Sequence, residues 1–321
     1  MPRATGHDIH VDQHLTNVAI NYRPEGMIAD QIAPIVSVAK QSDFYPIWDQ
    51  GDILRVETAT RGPGEEAKKI TRSVSSGAYY AENYALKTPL TVEDRENMDP
   101  AFYKLRSEGK AEWLVDKMGL VWEYRVAQQC TSGSNVYSYS ACASAWTDYT
   151  NSDPLSDLWT AIDVIQDATG YKPNSLLMGG QAWRNFRRNE TVKNELYGSA
   201  GSAGGNRMVS RENAKTLFEV ERFLVGEAYY DTAAEGQTMS ISPLWADHVL
   251  LYYAPMAAST EKPSFMYSFR WKRPGLANLS IERHPFDAKT KSEEIELGVY
   301  QDEVITASTL AYLFTNVTSS T

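Results

Sequence analysis

Arg61-Gly62-Pro63-Gly64-Glu65-Glu66-Ala67-Lys68-Lys69 lies at the middle of the stretch that decides the fold. Gly-Pro-Gly between charged residues is a strong turn signal. Upstream, Phe44-Tyr45-Pro46-Ile47-Trp48 is β-prone, and Pro46 restricts it to an edge strand or a bulge. Asp49-Gln50-Gly51-Asp52 reads as a second turn. Downstream, Lys68 to Val74 alternates weakly, with Ile70 and Val74 on one side and Thr71 and Ser73 on the other. Tyr79, Tyr80 and Tyr84 then lead into Ala85-Leu86-Lys87. Residues 44–90 therefore read as a long two-stranded projection with its tip near Gly62–Gly64. An isolated ribbon is marginal in water, so it must lie on something. One domain leaves it little to lie on, which points to a chain that completes its structure on its neighbours.

The flanks differ in kind. Residues 1–25 are polar, with scattered apolar positions at Ile9, Val11, Leu15, Val18 and Ile20, and read as an arm. Residues 27–40 hold a short apolar turn and then a strand after Pro34. Asp99-Pro100 opens a helix that runs to about Gln129. On its wheel Glu108, Glu112, Asp116 and Glu123 share one arc. The other side mixes Phe102, Trp113, Leu114, Met118 and Val121 with Arg106, Lys110, Lys117 and Arg125. A row of like charges repels itself. It is either a solvated face or the receiving surface for a cationic partner.

Residues 131–152 read as a loop or irregular hairpin. Asp153-Pro154 repeats the helix-opening chemistry, Leu155, Leu158, Ile162 and Ile165 are spaced for a buried face, and Gly170 with Pro173 ends it. Ser175-Leu176-Leu177-Met178 reads as a short buried strand. Helices over 181–189 and 211–218 follow, then strands over 222–229 and 249–253. Residues 265–284 and 295–314 read as long strands separated by polar Asp287–Glu294.

Composition bounds function. The 321 residues are long enough for two packed domains, and the net charge of −10 disfavours sequence-specific reading of nucleic acid. Cys130 and Cys142 match no CxxC pair and read as reduced thiols. The N-terminal residues lack an apolar leader, and no run is long enough to span a bilayer. Gly198–Gly205 resembles a phosphate loop, but Asn206-Arg207 stands where Lys and Ser/Thr would be needed, so a surface loop is expected. His7, His10 and His14 could share a helix face, but no carboxylate completes a metal site. Asp247-His248 would point oppositely in a strand, which is wrong for a catalytic dyad. No catalytic, cofactor or metal constellation emerges, which favours an architectural role over an enzyme.

The order of these segments resembles that of the major capsid proteins of tailed bacteriophages, whose fold is shared with the herpesvirus shell floor and encapsulins. The phrases that carry it are Met27-Ile28-Ala29-Asp30-Gln31-Ile32-Ala33-Pro34-Ile35-Val36, Ser42-Asp43-Phe44-Tyr45, Arg61-Gly62-Pro63-Gly64, Asn174-Ser175-Leu176-Leu177-Met178-Gly179 and Phe265-Met266-Tyr267-Ser268-Phe269-Arg270-Trp271. The resemblance implies an α+β fold. Its parts would be an N-terminal arm (1–43), an E-loop lying across a neighbouring subunit (44–90) and a P-domain with a long spine helix (91–152). An A-domain (153–262) and returning P-domain strands (263–321) would complete it. It implies pentamers and hexamers in an icosahedral shell around double-stranded DNA, in a virion assembled in bacterial cytoplasm. Other copies, a separate scaffold protein, a portal and a decoration protein are the implied partners, with no cofactor and no membrane. Within that frame Lys68, Lys69 and Arg72 of one copy are expected to meet Glu108, Glu112 or Asp116 of the next. An encapsulin-type shell with enzyme cargo, and a soluble α/β enzyme, are the competing readings.

Overall fold

The structure is a computed structural model that describes residues 10–21, 26–48, 50–57, 59–71, 73–198, 208–259, 261–273 and 279–318. The chain opens with β1 (His10–Val11), α1 (Gln13–Asn21), α2 (Ala29–Ile32) and β2 (Ile35–Val38). The projection follows as β3 (Ser42–Trp48), α3 (Gln50–Leu54), β4 (Val74–Tyr80) and β5 (Glu82–Thr91). Then come α4 (Val92–Glu96), α5 (Pro100–Thr131), β6 (Ser138–Ala141), α6 (Pro154–Thr169), β7 (Ser175–Gly179), α7 (Gly180–Phe186), α8 (Glu190–Tyr197) and α9 (Arg211–Leu217). Strands β8 (Arg222–Gly226), β9 (Tyr229–Asp231), β10 (Ile241–Pro243), β11 (Val249–Tyr252), β12 (Met266–Trp271), β13 (Ser280–Asp287), β14 (Ser292–Ile305) and β15 (Ala311–Thr315) complete it.

Two sheets organise the body. In the first, the 14-residue β14 is central. Strand β5 runs antiparallel along one side of it, from Ser292↔Thr91 to Gln301↔Glu82. Strands β13 and β12 share its other side, with β1 beyond β13 and β2 parallel to β12. Residues along β14 alternate between buried and half-buried, as a strand with one face on a core requires. The second sheet has the order β6-β15-β11-β7-β8. Its inner strands β7 and β11 are buried at every residue, so Leu176-Leu177-Met178 and Val249-Leu250-Leu251-Tyr252 read as unbroken apolar runs.

The second sheet is covered on both faces. Leu176, Met178, Val249 and Leu251 meet Leu158, Ile162, Ile165, Phe186 and Phe218 from α6, α7 and the end of α9. Leu177, Leu250 and Leu313 meet Val126, Ala127 and Cys130 of α5, and Ile28, Ile32 and Ala33 of the segment around α2. Helix α5 thus joins the layers. It has 32 residues, about 48 Å at 1.5 Å per residue. Its N-terminal half packs Ala111, Leu114, Val115 and Met118 against Ile281, Ile295, Leu297 and Val299 of the first sheet.

Local chemistry explains most boundaries. Asp153 accepts bonds from the backbone N–H groups of Leu155 (3.2 Å) and Ser156 (3.1 Å), and Gly170 closes α6 at φ 72°. Thr91 caps α4 through Asp94 N–H. At α5 the Asp-Pro opening is present, but the Asp99 side chain makes no capping bond.

Several expectations need correction. Residues 13–21 are helical rather than an unpacked arm, because Asp12 Oδ1 accepts from Leu15 N–H and Leu15 and Ala19 fall on the α5 side. Gln50–Leu54 is a short helix rather than a plain turn. The ladder of the projection stops at Trp48↔Val74, so residues 68–71 and 73 are not strand. Residues 138–141 form a strand parallel to β15. Each of the two long C-terminal strands is broken: residues 272, 273 and 279 are not strand, nor are 306–310. The glycine tract at 199–205, His7, the side chain of His10, and Arg72 lie outside the described residues.

Candidate assembly surfaces

The base of the projection is rigid for a chemical reason. Tyr45 of β3 and Tyr79 of β4 stack on Phe269 of β12, with ring centroids 5.3 and 4.7 Å apart. Gly77 sits opposite Tyr45 in the register, and a Cβ there would lie 2.3 Å from the tyrosine ring. Glycine is therefore what lets the ring cross the strand. Tyr80 N–H also donates to Asp302 Oδ2 at 2.8 Å.

Beyond that anchor the chain is held by polar contacts and by an apolar touch of Leu54. Ser73 N–H donates to Asp52 Oδ2 at 2.7 Å, Lys68 pairs with Glu57, and Leu54 lies against Gly170. Between the projection and the body lies a cleft of about 940 Å³, lined on one side by Arg55, Lys68, Lys69 and Ile70 and on the other by Tyr171 and Glu261. Outward, Val56 is 96% exposed, Phe44 71% and Ile70 69%. Among the described residues, no side chain between Tyr45 and Tyr79 belongs to a buried core.

A second apolar surface lies on α5. Phe102 and Leu105 are each 63% exposed and Trp113 51%. At 100° per residue these three fall within about 80° of one another, opposite the buried face. Gly109, between them, has nothing within 4 Å of its Cβ position. Glu112 lies at one edge of this stripe, and Asp116 falls within its arc beyond Trp113.

The acidic row is not one surface. Glu108 takes His14 of the chain's own α1 at 2.6 Å. Arg106 and Lys110, on the same helix, both bind Asp94. Glu123 is fully buried. Its Oε2 accepts from the N–H groups of Ile28 (2.9 Å) and Ala29 (2.7 Å), and its Oε1 accepts from Trp245 Nε1 (2.6 Å). It therefore fastens three separate parts: α5, the segment that opens α2, and the loop before β11. Burial raises its pKa, and the three donors oppose that rise. Two residues on, Arg125 makes a bidentate pair with Glu303 at 2.9 and 2.6 Å and lies 3.5 Å over the Tyr84 ring. Burial there, with the bond to Glu82, pushes the Tyr84 phenol up to about 12.

Lys68 and Lys69 thus line the cleft, and Glu108, Glu112 and Asp116 lie along α5. Within one chain these bases and acids make no ion pair with one another among the described residues. Sequence reasoning missed the fastening role of Glu123. It also grouped Phe102 and Trp113 with Leu114 and Met118 on one side of α5, where the structure exposes the first two and buries the others. Spacing alone could have separated Phe102, Leu105 and Trp113 from Leu114 and Met118. Among the described residues, no group of three His, Cys, Asp or Glu side chains could hold a metal ion. No described helix is long and apolar enough to cross a membrane.

Comparisons with known proteins agree with this architecture. The chain is 25% identical over 313 residues to the major capsid protein of Pseudomonas phage JBD67, covering 97% of this chain and 98% of that protein. Over nearly its whole length the chain is thus similar to a phage major capsid protein. A phage-related protein from Bordetella bronchiseptica superposes with a TM-score of 0.74 at 22% identity, covering 97% and 98% of the two chains. The capsid structure of cyanophage P-SCSP1u gives 0.57 at 11% identity, covering 92% and 89%. No family model matches. The α+β capsid fold expected from the order of segments is therefore borne out.

Proposed function

We propose that this chain is the major shell subunit of a tailed phage. Copies assemble as pentamers and hexamers into an icosahedral shell that encloses double-stranded DNA without reading its sequence. The shell is built in bacterial cytoplasm with a separate scaffold protein and a portal, and it can carry a decoration protein. Its role is structural rather than catalytic. The parts are an N-terminal arm (1–43), an E-loop (44–90), a P-domain (91–152 and 263–321) and an A-domain (153–262). The observation that carries this reading is the projection at 44–90, which is anchored at its base by Tyr45 and Tyr79 and, among the described residues, places no side chain between those two in a buried core.

In this reading the projection of one copy lies on α5 of the next. Its outward Phe44, Ile70 and Val74 cover the stripe of Phe102, Leu105 and Trp113. Lys68, Lys69 and Arg72 then meet Glu108, Glu112 and Asp116. Lys68 would exchange Glu57 for a neighbour's carboxylate, and Glu108 would exchange His14. Such exchanges at the rim contribute little net energy, so apolar burial drives the contact and the charges set its register. Electron microscopy of the expressed protein tests the reading. The expected product is closed particles with pentameric and hexameric units. A stable monomer at every concentration would sink it, and particles filled with an enzyme would favour a nanocompartment shell.

A further inference from the structure

We infer that neighbouring copies meet head to tail through an arginine patch at the end of α7 and the acidic outer face of α6. This rests on the reading that the chain forms rings, and it names the surfaces that touch. The chain carries 41 acidic against 31 basic side chains, so its average surface is anionic. Around α7 that balance inverts. Arg184 and Arg188 are exposed, and neither makes an ion pair among the described residues. Arg187 lies between them in sequence, with its guanidinium 5.4 Å over the Trp183 ring. It donates to Met208 Sδ at 3.4 Å, and its Nε is buried without a partner. Arg211, at the start of α9, pairs with Glu227 at 2.8 Å. Arg184, Arg187 and Arg211 line a recess of about 330 Å³ in which Glu227 is the one carboxylate among the described residues. Three guanidiniums against one carboxylate leave a positive recess that a carboxylate fits.

Helix α6 presents the complement. Its inner face is Leu158, Ala161, Ile162 and Ile165. Its outer face carries Asp163 and Asp167, both exposed and neither in an ion pair among the described residues. These two are four residues apart on α6, a spacing that holds their Cβ atoms about 6 Å apart. Arg184 stands in the last turn of α7 and Arg188 in the turn just past it. Two carboxylates and two guanidiniums thus stand as close pairs on unlike surfaces. A contact between unlike patches is heterologous: each copy offers one and receives the other, and a constant rotation closes a ring. A nucleic-acid phosphate fits this patch less well, because the chain's net charge of −10 repels a polyanion and Arg184, Arg187 and Arg211 converge on one recess rather than forming a stripe.

Charge reversal tests the pairing. Arg184→Glu with Arg188→Glu alters only exposed, unpaired side chains, and an unchanged melting temperature verifies the fold. The protein concentration needed for assembly, read by sedimentation, is expected to rise about tenfold or more. Asp163→Lys with Asp167→Lys should do the same, and all four changes together should restore assembly. The inference is overturned if the arginine variant assembles like the parent, or if the four-fold swap restores nothing while the parent still forms particles. It is equally overturned if the arginine variant forms normal shells that lose only their nucleic acid. A parent protein that forms no rings at all defeats the shell reading, and this inference with it.

Discussion

Glu123 stands among apolar side chains with no exposed surface, yet all its bonds are to donors. A carboxylate suits this arrangement because it only accepts. Placing a proton on Oε1 would set a donor against Trp245 Nε1–H, and placing it on Oε2 would set it against the α2 amides. Glu123→Ala leaves three buried donors unmet and should cost roughly 3–5 kcal/mol of unfolding free energy. Glu123→Gln keeps the shape but turns an NH₂ towards one set of donors, and should cost about 1–3 kcal/mol. Denaturant melts of both variants measure this. The pH dependence has a definite sign. The cost of burying the charge outweighs these three donors and raises the folded pKa above the ordinary 4.5, so the folded chain binds this proton more tightly than the unfolded chain. The stability tied to Glu123 is therefore fullest below about 4.5 and declines as pH rises through the folded value. The melting temperature of the parent relative to Glu123→Gln should climb on mild acidification. A difference that stays flat between neutral pH and pH 5 would show that the carboxylate titrates normally.

At the scale of elements, what could be read depended on whether the signal was local. Helices α5 and α6 were legible because Asp-Pro marks both starts and Gly170 marks one end. Strands β7 and β11 were legible as apolar runs. Strand β6 was not, because Ser138-Tyr139-Ser140-Ala141 has no apolar pattern and becomes a strand only by lying parallel to β15, far along the chain. Helix α8 was missed because its cap, Asn189, sat inside what read as one helix. The candidate surfaces divide the same way. The projection was legible from its turn and its charge. Glu123 was not, because on a wheel a buried carboxylate looks like its solvated neighbours until the amides of α2 and Trp245 are placed beside it. The base of the projection offers its own test. Gly77→Val would drive Cβ into the Tyr45 ring, so Tyr45 must leave its stack on Phe269. The melting temperature should fall by several degrees, equivalent to about 1–3 kcal/mol, and amides of β3 and β4 should exchange faster than those of β14. Unchanged exchange in that ribbon would mean the stack does not hold it.

For the molecule as a whole, the decisive asymmetry is between residues 10–45 and 79–318, which supply every buried core side chain, and the intervening projection, which supplies none among the described residues. Ordering backbone costs about 1–2 kcal/mol per residue, and within one copy little apolar burial offsets that cost beyond Trp48 and Val74. In the proposed shell, the neighbour's α5 stripe provides the missing burial. The two requirements, folding and assembly, are then separable by surgery. Replacing residues 55–71 by a short Gly-Ser turn removes Val56, Lys68, Lys69 and Ile70 but leaves Tyr45, Tyr79 and Phe269 in place. That variant should keep the parent's circular dichroism and melt within a few degrees of it, because no core contact is lost. It should also sediment as a monomer at concentrations where the parent forms particles. If instead it unfolds, the projection supports its own chain through the cleft against Tyr171 and Glu261. If it still closes into shells, the contact between copies lies elsewhere.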